Sequence, residues 1–164
     1  MYKIRLLILL FISLAFTSCT NNNKSSEFQL SVAYISGEYD GLLLSNQLKS
    51  NLNNFGMLNT YSNYEIQGYI THSSNLFITN IDNTSDRMEL QSELNVVIID
   101  QRFNCAKQNF KESVSQFYIF AESDKYISNN RAEKKIKEEN TYALVKEFIN
   151  KLKEPSKICE RINE

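Results

Sequence analysis

The sequence predicts an α+β domain, a two-layer sandwich with two helices on one face of a four-stranded, mostly antiparallel sheet. Three observations support this class. Four segments alternate between apolar and polar residues, two stretches repeat apolar residues at helical spacing, and 42% of the chain is hydrophobic, including ten Phe and nine Tyr. The elements follow the order β-α-β-β-β-α without an internal repeat. Because each helix has a single apolar stripe, both stripes are buried when both helices pack on the same sheet face.

The segment before the first strand, residues 1–18, predicts a signal peptide. Lys3 and Arg5 form a positive start, Leu6–Phe16 is almost entirely apolar, and small residues lead into Cys19. This apolar run of about eleven residues is shorter than the ~20 residues that a membrane-spanning helix needs. A buried N-terminal helix is the alternative, but the segment lacks the polar face that such a helix carries.

Cys19 and the polar residues after it resemble a bacterial lipobox and its tether. On this interpretation the chain is cleaved before Cys19, which becomes the mature N-terminus and carries lipid (palmitate), and residues 19–27 are the lipidated N-terminus and tether. Phe16 departs from the lipobox pattern, which usually has Leu, Val or Ile there. Thr20, rather than Asp, follows Cys19, and by analogy with other lipoproteins this favours the outer membrane.

Charge and composition give no reason to expect nucleic-acid binding. The 164-residue chain carries 18 basic and 19 acidic side chains, and loss of the signal peptide removes the basic residues Lys3 and Arg5. The mature chain then has a formal charge of −3, so an anionic partner has to meet a local basic patch. One Pro and four Gly are too few for a disordered composition.

The first strand and the first helix follow the tether. Alternation of apolar and polar residues predicts a strand over Phe28–Ile35. A turn comes next, with Asp40 as the predicted cap of the helix and Gly56 as its stop. The helix is predicted to bury a stripe made of Leu44, Leu48, Leu52 and Phe55.

Three further strands are predicted from alternation, over Tyr64–Ile70, Arg87–Asp100 and Val114–Ala121. The last of these is apolar on both sides, which predicts a central or covered position. Asn80–Asp86 has the composition of a turn. Phe103–Lys111 is predicted to be a polar connection.

The second helix is predicted over Ser128–Lys153, where apolar residues keep helical spacing and Glu-Lys pairs lie on the exposed side. Pro155 ends this helix. The α+β domain is therefore expected to cover residues 28–154, and residues 155–164 are expected to form a polar C-terminal tail.

Two cysteines remain once Cys19 is assigned to the lipid. Export permits a disulfide between Cys105 and Cys159, and two unpaired thiols are the alternative. No spacing in the sequence matches a zinc site. We therefore predict no metal and no cofactor.

The sequence offers no catalytic constellation, and we predict that the protein is not an enzyme. His72, the only histidine, lies at the end of a predicted strand without a Ser, Cys or acid in a triad-like pattern. Two carboxylate pairs could serve acid–base chemistry. However, Asp82 and Asp86 lie in a predicted turn, and Glu138 and Glu139 lie on a charged helix face, so both pairs are interpreted as structural or solvated.

Basic side chains are the candidate lipid contacts because Arg and Lys pair well with phosphate oxygens. Acidic neighbours favour a solvated helix face for most of the basic cluster in the second half of the chain. Arg87, which follows the Asn-rich turn, is a second candidate, and a charge that discourages edge pairing is its alternative role. The basic cluster consists of Lys125, Arg131, Lys134, Lys135 and Lys137.

In order and spacing, these elements resemble the LPS-assembly lipoprotein family, LptE. The resemblance runs from Cys19 to Leu152. It includes Gly41–Leu48 in the first helix, the passage Asn83–Arg87 into the long third strand, and the C-terminal helix from Ala132 onward.

The resemblance implies a role without catalysis. Proteins of this family lie inside the lumen of the outer-membrane β-barrel LptD, help it to assemble, and bind lipopolysaccharide as it passes to the cell surface. Arg87, Lys125 and Arg131 are then the candidate lipopolysaccharide contacts, and Cys19 anchors the chain on the periplasmic side of the outer membrane. The alternative is an auxiliary lipoprotein of an ABC-type lipid transport system, which would have a similar size, anchor and helix–sheet content.

Overall fold

The computed structural model describes residues 28–33, 35–78, 86–120, 126–152 and 160–161. The predicted signal peptide, Cys19 with its tether, and most of the predicted turn after the second strand lie outside the described residues. The elements in chain order are β1 (Ser31–Val32), α1 (Tyr39–Asn54), β2 (Tyr64–Ile78), β3 (Asp86–Asp100), β4 (Cys105–Phe120), α2 (Tyr126–Lys151) and β5 (Glu160–Arg161).

The strands form one sheet in the order β1-β2-β3-β4-β5. β1 runs parallel to β2, and all the other neighbours are antiparallel. The pairing of β2 with β3 is long and regular, from Tyr64 opposite Asp100 to Ile78 opposite Asp86, and β4 pairs along the other side of β3 with one bulge. The predicted α+β layout with a mostly antiparallel sheet is therefore confirmed, and β5 adds a short fifth strand to it.

The two helices pack on the same face of the sheet and share one core with it. The ring of Phe148 on α2 meets that of Phe110 on β4 edge-on, with centroids 5.3 Å apart. Fully buried side chains from both helices and from the three long strands meet in this core; they include Leu44, Leu48, Leu52, Ile66, Leu94, Ile98, Val145 and Phe148. Neither helix packs on the opposite face of the sheet, where most side chains are at least partly exposed, and we call it the open face.

α1 lies close to its predicted position, with two local differences. Asp40 is in the first turn and is not the cap, since the helix begins at Tyr39 and Glu38 makes no side-chain capping bond. Phe55 is 57% exposed because the chain leaves the helix at this residue, so the buried stripe ends at Leu52. The predicted stop at Gly56 is confirmed, with a φ of 66° that favours glycine.

β4 is longer than predicted. It begins at Cys105, so the predicted polar connection Phe103–Lys111 is wrong from that residue onward. The connection is short because Asp100 and Cys105 are paired across it, and Asn104 within it takes a positive φ of 46°. The polar residues of this part of β4 lie mostly on the open face, which needs no apolar side chains, and for this reason the sequence looked like a loop.

The far end of β4 is not covered, contrary to the prediction. Phe117 and Ile119 lie on the open face and are 57% and 72% exposed. Both helices pack on the other face of the sheet, so this end of β4 is not a covered position. β1 and β2 differ from their predictions in length only. β1 has two residues of the predicted strand Phe28–Ile35, and β2 continues past the predicted end at Ile70 to Ile78.

Candidate functional site

A row of polar side chains crosses the interface between the sheet and the helices, and we call it the polar seam. Each member comes from a different element: Asp40 from α1, His72 from β2, Ser92 from β3, Gln116 from β4 and Asn140 from α2. His72 and Ser92 are directly paired in the sheet. The seam therefore joins all the long elements of the fold at one level.

Asn140 is the centre of the polar seam and is fully buried. Its Nδ2 donates to the Ser92 Oγ at 2.9 Å and to the Leu90 carbonyl oxygen at 3.3 Å, and its Oδ1 accepts from Gln116 Nε2 at 2.8 Å. Since a buried amide is costly without partners, these three bonds fix the position of α2 over β3 and β4.

The side chain of His72 is also buried in the seam and is only 3% exposed. Its Nδ1 lies 2.7 Å from Ser92 Oγ, while its Nε2 has no hydrogen-bond partner within the described part of the chain; the nearest acid oxygen is Asp40 Oδ1, at 3.9 Å. Burial lowers the pKa of His72 from its ordinary value of 6.5, Lys137 lowers it further, and Asp40 and Glu133 oppose the shift. The imidazole is therefore neutral at neutral pH.

Ser92, His72 and Asp40 are the residue types of a catalytic triad. The structure brings them close together, although their spacing in the sequence did not predict this. Ser92 is fully buried, so a substrate cannot reach its Oγ while the helices are packed on the sheet. The 3.9 Å between His72 and Asp40 also exceeds the 2.6–3.2 Å at which an acid orients a base. The geometry suits a structural polar network. Ser92, the one polar residue on the apolar side of β3 between Met88 and Ile98, was the sequence signal for it.

The distal end of the sheet, which we define by the open-face residues Arg87, Phe117 and Ile119, combines a cation with exposed apolar side chains. Arg87 is exposed on the open face, opposite Ile119 on β4, and makes no ion pair within the described residues. Phe117 and Ile119 are each more than half exposed. A surface that places a guanidinium beside apolar groups suits an amphiphile with an anionic head.

The predicted contact Arg131 lies near the same end, on the helix side. α2 runs antiparallel to β4, because Lys151 pairs with Glu112 while Asn140 meets Gln116. The start of α2, with the exposed Arg131, is therefore level with the distal end of β4. The sheet separates Arg131 from Arg87, so the two do not form one patch, and Lys125 lies outside the described residues.

The other basic residues of the cluster are engaged with their neighbours, as the solvated-face interpretation predicts. Lys135 and Lys137 pair with Glu139 and Glu133 at 3.7 and 2.8 Å, one helical turn away. Lys134 lies over the ring of Tyr39, 5.1 Å from its centroid. Among the described members of the cluster, Arg131 is the one with neither an ion pair nor a ring contact to another described residue.

The carboxylate pairs also have structural contacts. Glu138 accepts a hydrogen bond from Tyr39 Oη at 2.8 Å, and Glu139 pairs with Lys135. Asp86 begins β3, and Asp82 lies outside the described residues. Within residues 28–33, 35–78, 86–120, 126–152 and 160–161, no group of His, Cys, Asp and Glu could hold a metal ion.

A groove of about 570 Å³ crosses the open face of the sheet away from the distal end. Sequence analysis missed it because its residues are far apart in the chain and come together only through the pairing of β2, β3 and β4. The side chains that line it on this face are Gln67, Tyr69, Asn95, Val97, Asn109 and Lys111.

Two findings concern the predicted attachment and crosslinks. Cys105 is disulfide-bonded, so the alternative of two unpaired thiols is excluded for this residue. Cys19 and Cys159 both lie outside the described residues. Of the helices in the described ranges, none has the length and apolar character that crossing a membrane requires.

Comparison with known proteins finds structures with a similar fold, but no match to the sequence. No family model matches the sequence, and no curated protein matches it. The structure is similar to a minor lipoprotein from Acinetobacter baumannii, with a TM-score of 0.58 at 17% identity, over 74% of this chain and 89% of that one. It is also similar to the rare lipoprotein B from Shewanella oneidensis, with a TM-score of 0.60 at 14% identity, over 74% and 91% of the two chains.

A third similar structure is a lipoprotein B from Nitrosomonas europaea, with a TM-score of 0.51 at 12% identity, over 74% and 80% of the chains. The architecture is thus one that bacterial lipoproteins use. At these identities the likeness concerns the fold, so the function has to be argued from this chain's own residues.

Proposed function

We propose that the protein is a non-enzymatic lipoprotein of the outer membrane, anchored through Cys19, which partners an LptD-type β-barrel and supports its assembly and the transport of lipopolysaccharide. The observation that carries this proposal is the combination of a lipobox-like Cys19 with a fold that bacterial lipoproteins share. The burial of Ser92 supports a role without catalysis. A domain with polar open surfaces suits the lumen of a barrel, which is itself polar.

The distal end is the surface that we assign to lipopolysaccharide. Arg87 is exposed and makes no ion pair with the described residues, so it can meet a phosphate group, and the exposed Phe117 and Ile119 offer apolar contact beside it. Arg131 lies at the same end but on the other side of the sheet, so it is the weaker candidate of the two. Lys125 remains part of the proposal from the sequence.

Co-purification tests the partner. The full-length protein is expressed in its native cell with a C-terminal affinity tag and extracted in mild detergent, and we expect a β-barrel of LptD type to elute with it. A Cys19→Ser variant should lose palmitate labelling and move to the soluble fraction. Recovery of an inner-membrane ABC transporter complex instead would establish the alternative function and overturn ours.

Binding of purified lipopolysaccharide tests the assigned surface. Replacing Arg87 by Ala should weaken binding about tenfold, because a charge-assisted bond to phosphate contributes roughly 1.5–3 kcal/mol. Lys146→Ala is the matched control. Lys146 is an exposed cation in the last part of α2, whereas the start of this helix is level with the distal end. Equal affinity of the Arg87 variant and the wild type would remove the lipid role from this surface.

A further inference from the structure

We propose that the open-face groove binds uncharged sugar residues of the lipopolysaccharide saccharide, separately from the contact between Arg87 and phosphate. This inference rests on the proposed function for the identity of the ligand. The groove is lined by uncharged polar side chains from three adjacent strands: Gln67, Tyr69, Asn95 and Asn109.

The polar groups of the groove match sugar hydroxyls. Amide side chains both donate and accept hydrogen bonds, as hydroxyl groups do, so they pair with a sugar in either direction. Asn109 and the hydroxyl of Tyr69 make no side-chain hydrogen bond within the described residues, which leaves them available for a ligand. Tyr69 is 47% exposed, and its ring offers an apolar surface to the CH groups of a pyranose.

The groove has no net charge to attract an ion. Its charged side chain is Lys111, whose Nζ lies 3.1 Å from Glu93 Oε1, and the same oxygen accepts from Asn95 Nδ2 at 2.8 Å. These hydrogen bonds lower the pKa of Glu93, so the carboxylate stays ionised and continues to balance Lys111. Among the described residues, the groove therefore offers a phosphate no unpaired cation, whereas Arg87 at the distal end makes no ion pair with any of them. The absence of net charge therefore favours neutral sugars over the phosphorylated part of the lipid.

The position of the groove fits a ligand that also reaches Arg87. Arg87 and Asn95 both belong to β3, and since they are an even number of residues apart, their side chains share the open face. At about 3.3 Å per residue, roughly 26 Å separates them. Thr71, Ser73, Gln91, Ser113 and Ser115 lie at open-face positions of the same strands and are exposed, so polar contacts are available on this face outside the groove.

The test uses the full-length mature protein in detergent and two probes: the lipid-free saccharide released from lipopolysaccharide by mild acid, and lipid A alone. Saturation-transfer NMR and calorimetric titration measure binding of each. We expect the saccharide to bind the wild type, and Tyr69→Ala and Asn109→Ala each to weaken this binding about tenfold. Asn150→Ala, an exposed position on α2 and therefore on the other side of the sheet, is the control and should bind like the wild type.

Arg87→Ala separates this inference from the proposed function. It should weaken binding of lipid A and leave binding of the saccharide unchanged. No binding of the saccharide to wild-type protein, or equal binding by the Tyr69 and Asn109 variants, would overturn the inference even if an LptD-type barrel co-purifies. Loss of lipid A binding in the Tyr69 variant, or a dimer held by this face in light scattering, would assign the groove to another occupant and overturn it as well.

Discussion

His72 links the stability of the domain to pH through a single side chain. Folding removes the imidazole from water and leaves its Nε2 without a hydrogen bond among the described residues, and its pKa is lowered from 6.5 for that reason. The unfolded chain therefore binds a proton more readily than the folded one. By linkage, this contribution to stability is present above pH 6.5 and is lost as the pH falls toward the lower, folded-state pKa.

We predict that the free energy of unfolding of the wild type falls more steeply than that of a His72→Gln variant when the pH is lowered from about 8 to about 5. Denaturant titrations at several pH values measure the difference. Because the sequence has one histidine, the imidazole NMR signal also reports this pKa directly. A stability difference that stays constant over this range would contradict the prediction.

Asn140 shows what a buried polar residue does when its bonds are complete. We predict that Asn140→Ala destabilises the domain by about 2–4 kcal/mol, because it removes three hydrogen bonds and takes from Gln116 Nε2 and the Leu90 carbonyl oxygen the partner that Asn140 provides, while Ser92 keeps only His72. Asn150→Ala, an exposed position on the same helix, should change stability by less than about 0.5 kcal/mol. Equal effects of the two substitutions in chemical denaturation would argue against the role of the seam.

At the scale of elements, alternation predicted strands where one face meets the helices and failed where neither face needs apolar residues. The alternation of β3, over Arg87–Asp100, predicted the strand almost to its ends because it crosses the core along its whole middle. β2 was cut short at Ile70, since the residues after it are mostly polar, including His72 in the polar seam. The polar seam was missed for a different reason: its residues meet through tertiary packing, which spacing along the chain does not encode.

The pairing of β2 with β3 depends on Gly68. A Cβ at this position would overlap the Asn95 carbonyl oxygen and would lie 3.0 Å from the Val96 Cα, both of which are backbone atoms that cannot turn away. We predict that Gly68→Ala costs at least about 3 kcal/mol of stability, measured by thermal unfolding. Ser73→Ala, an exposed residue of the same strand, should cost no more than about 1 kcal/mol. If both substitutions had only a mild effect, β2 and β3 would be able to accommodate a Cβ at position 68, and the prediction would be wrong.

At the scale of the whole molecule, the disulfide of Cys105 and the proposed lipid on Cys19 constrain each other. The sequence has three cysteines, and an acylated Cys19 thiol is not available for a disulfide. β5 pairs with the first residues of β4, with Arg161 opposite Cys105, so Glu160, which follows Cys159 in the sequence, lies at this edge of the sheet. We therefore predict that Cys105 is bonded to Cys159.

Peptide mapping without reduction identifies the partner, and unfolding with and without reductant measures its effect. A Cys105–Cys159 bond closes a loop of roughly 55 residues, so its reduction should lower the stability of the domain by about 2–4 kcal/mol, mainly through the entropy of the unfolded chain. Cys159→Ser should have the same effect as the reductant, while Cys19→Ser should have none. A Cys19–Cys105 bond would contradict both the disulfide and the lipid anchor, because the thiol of Cys19 serves only one of them.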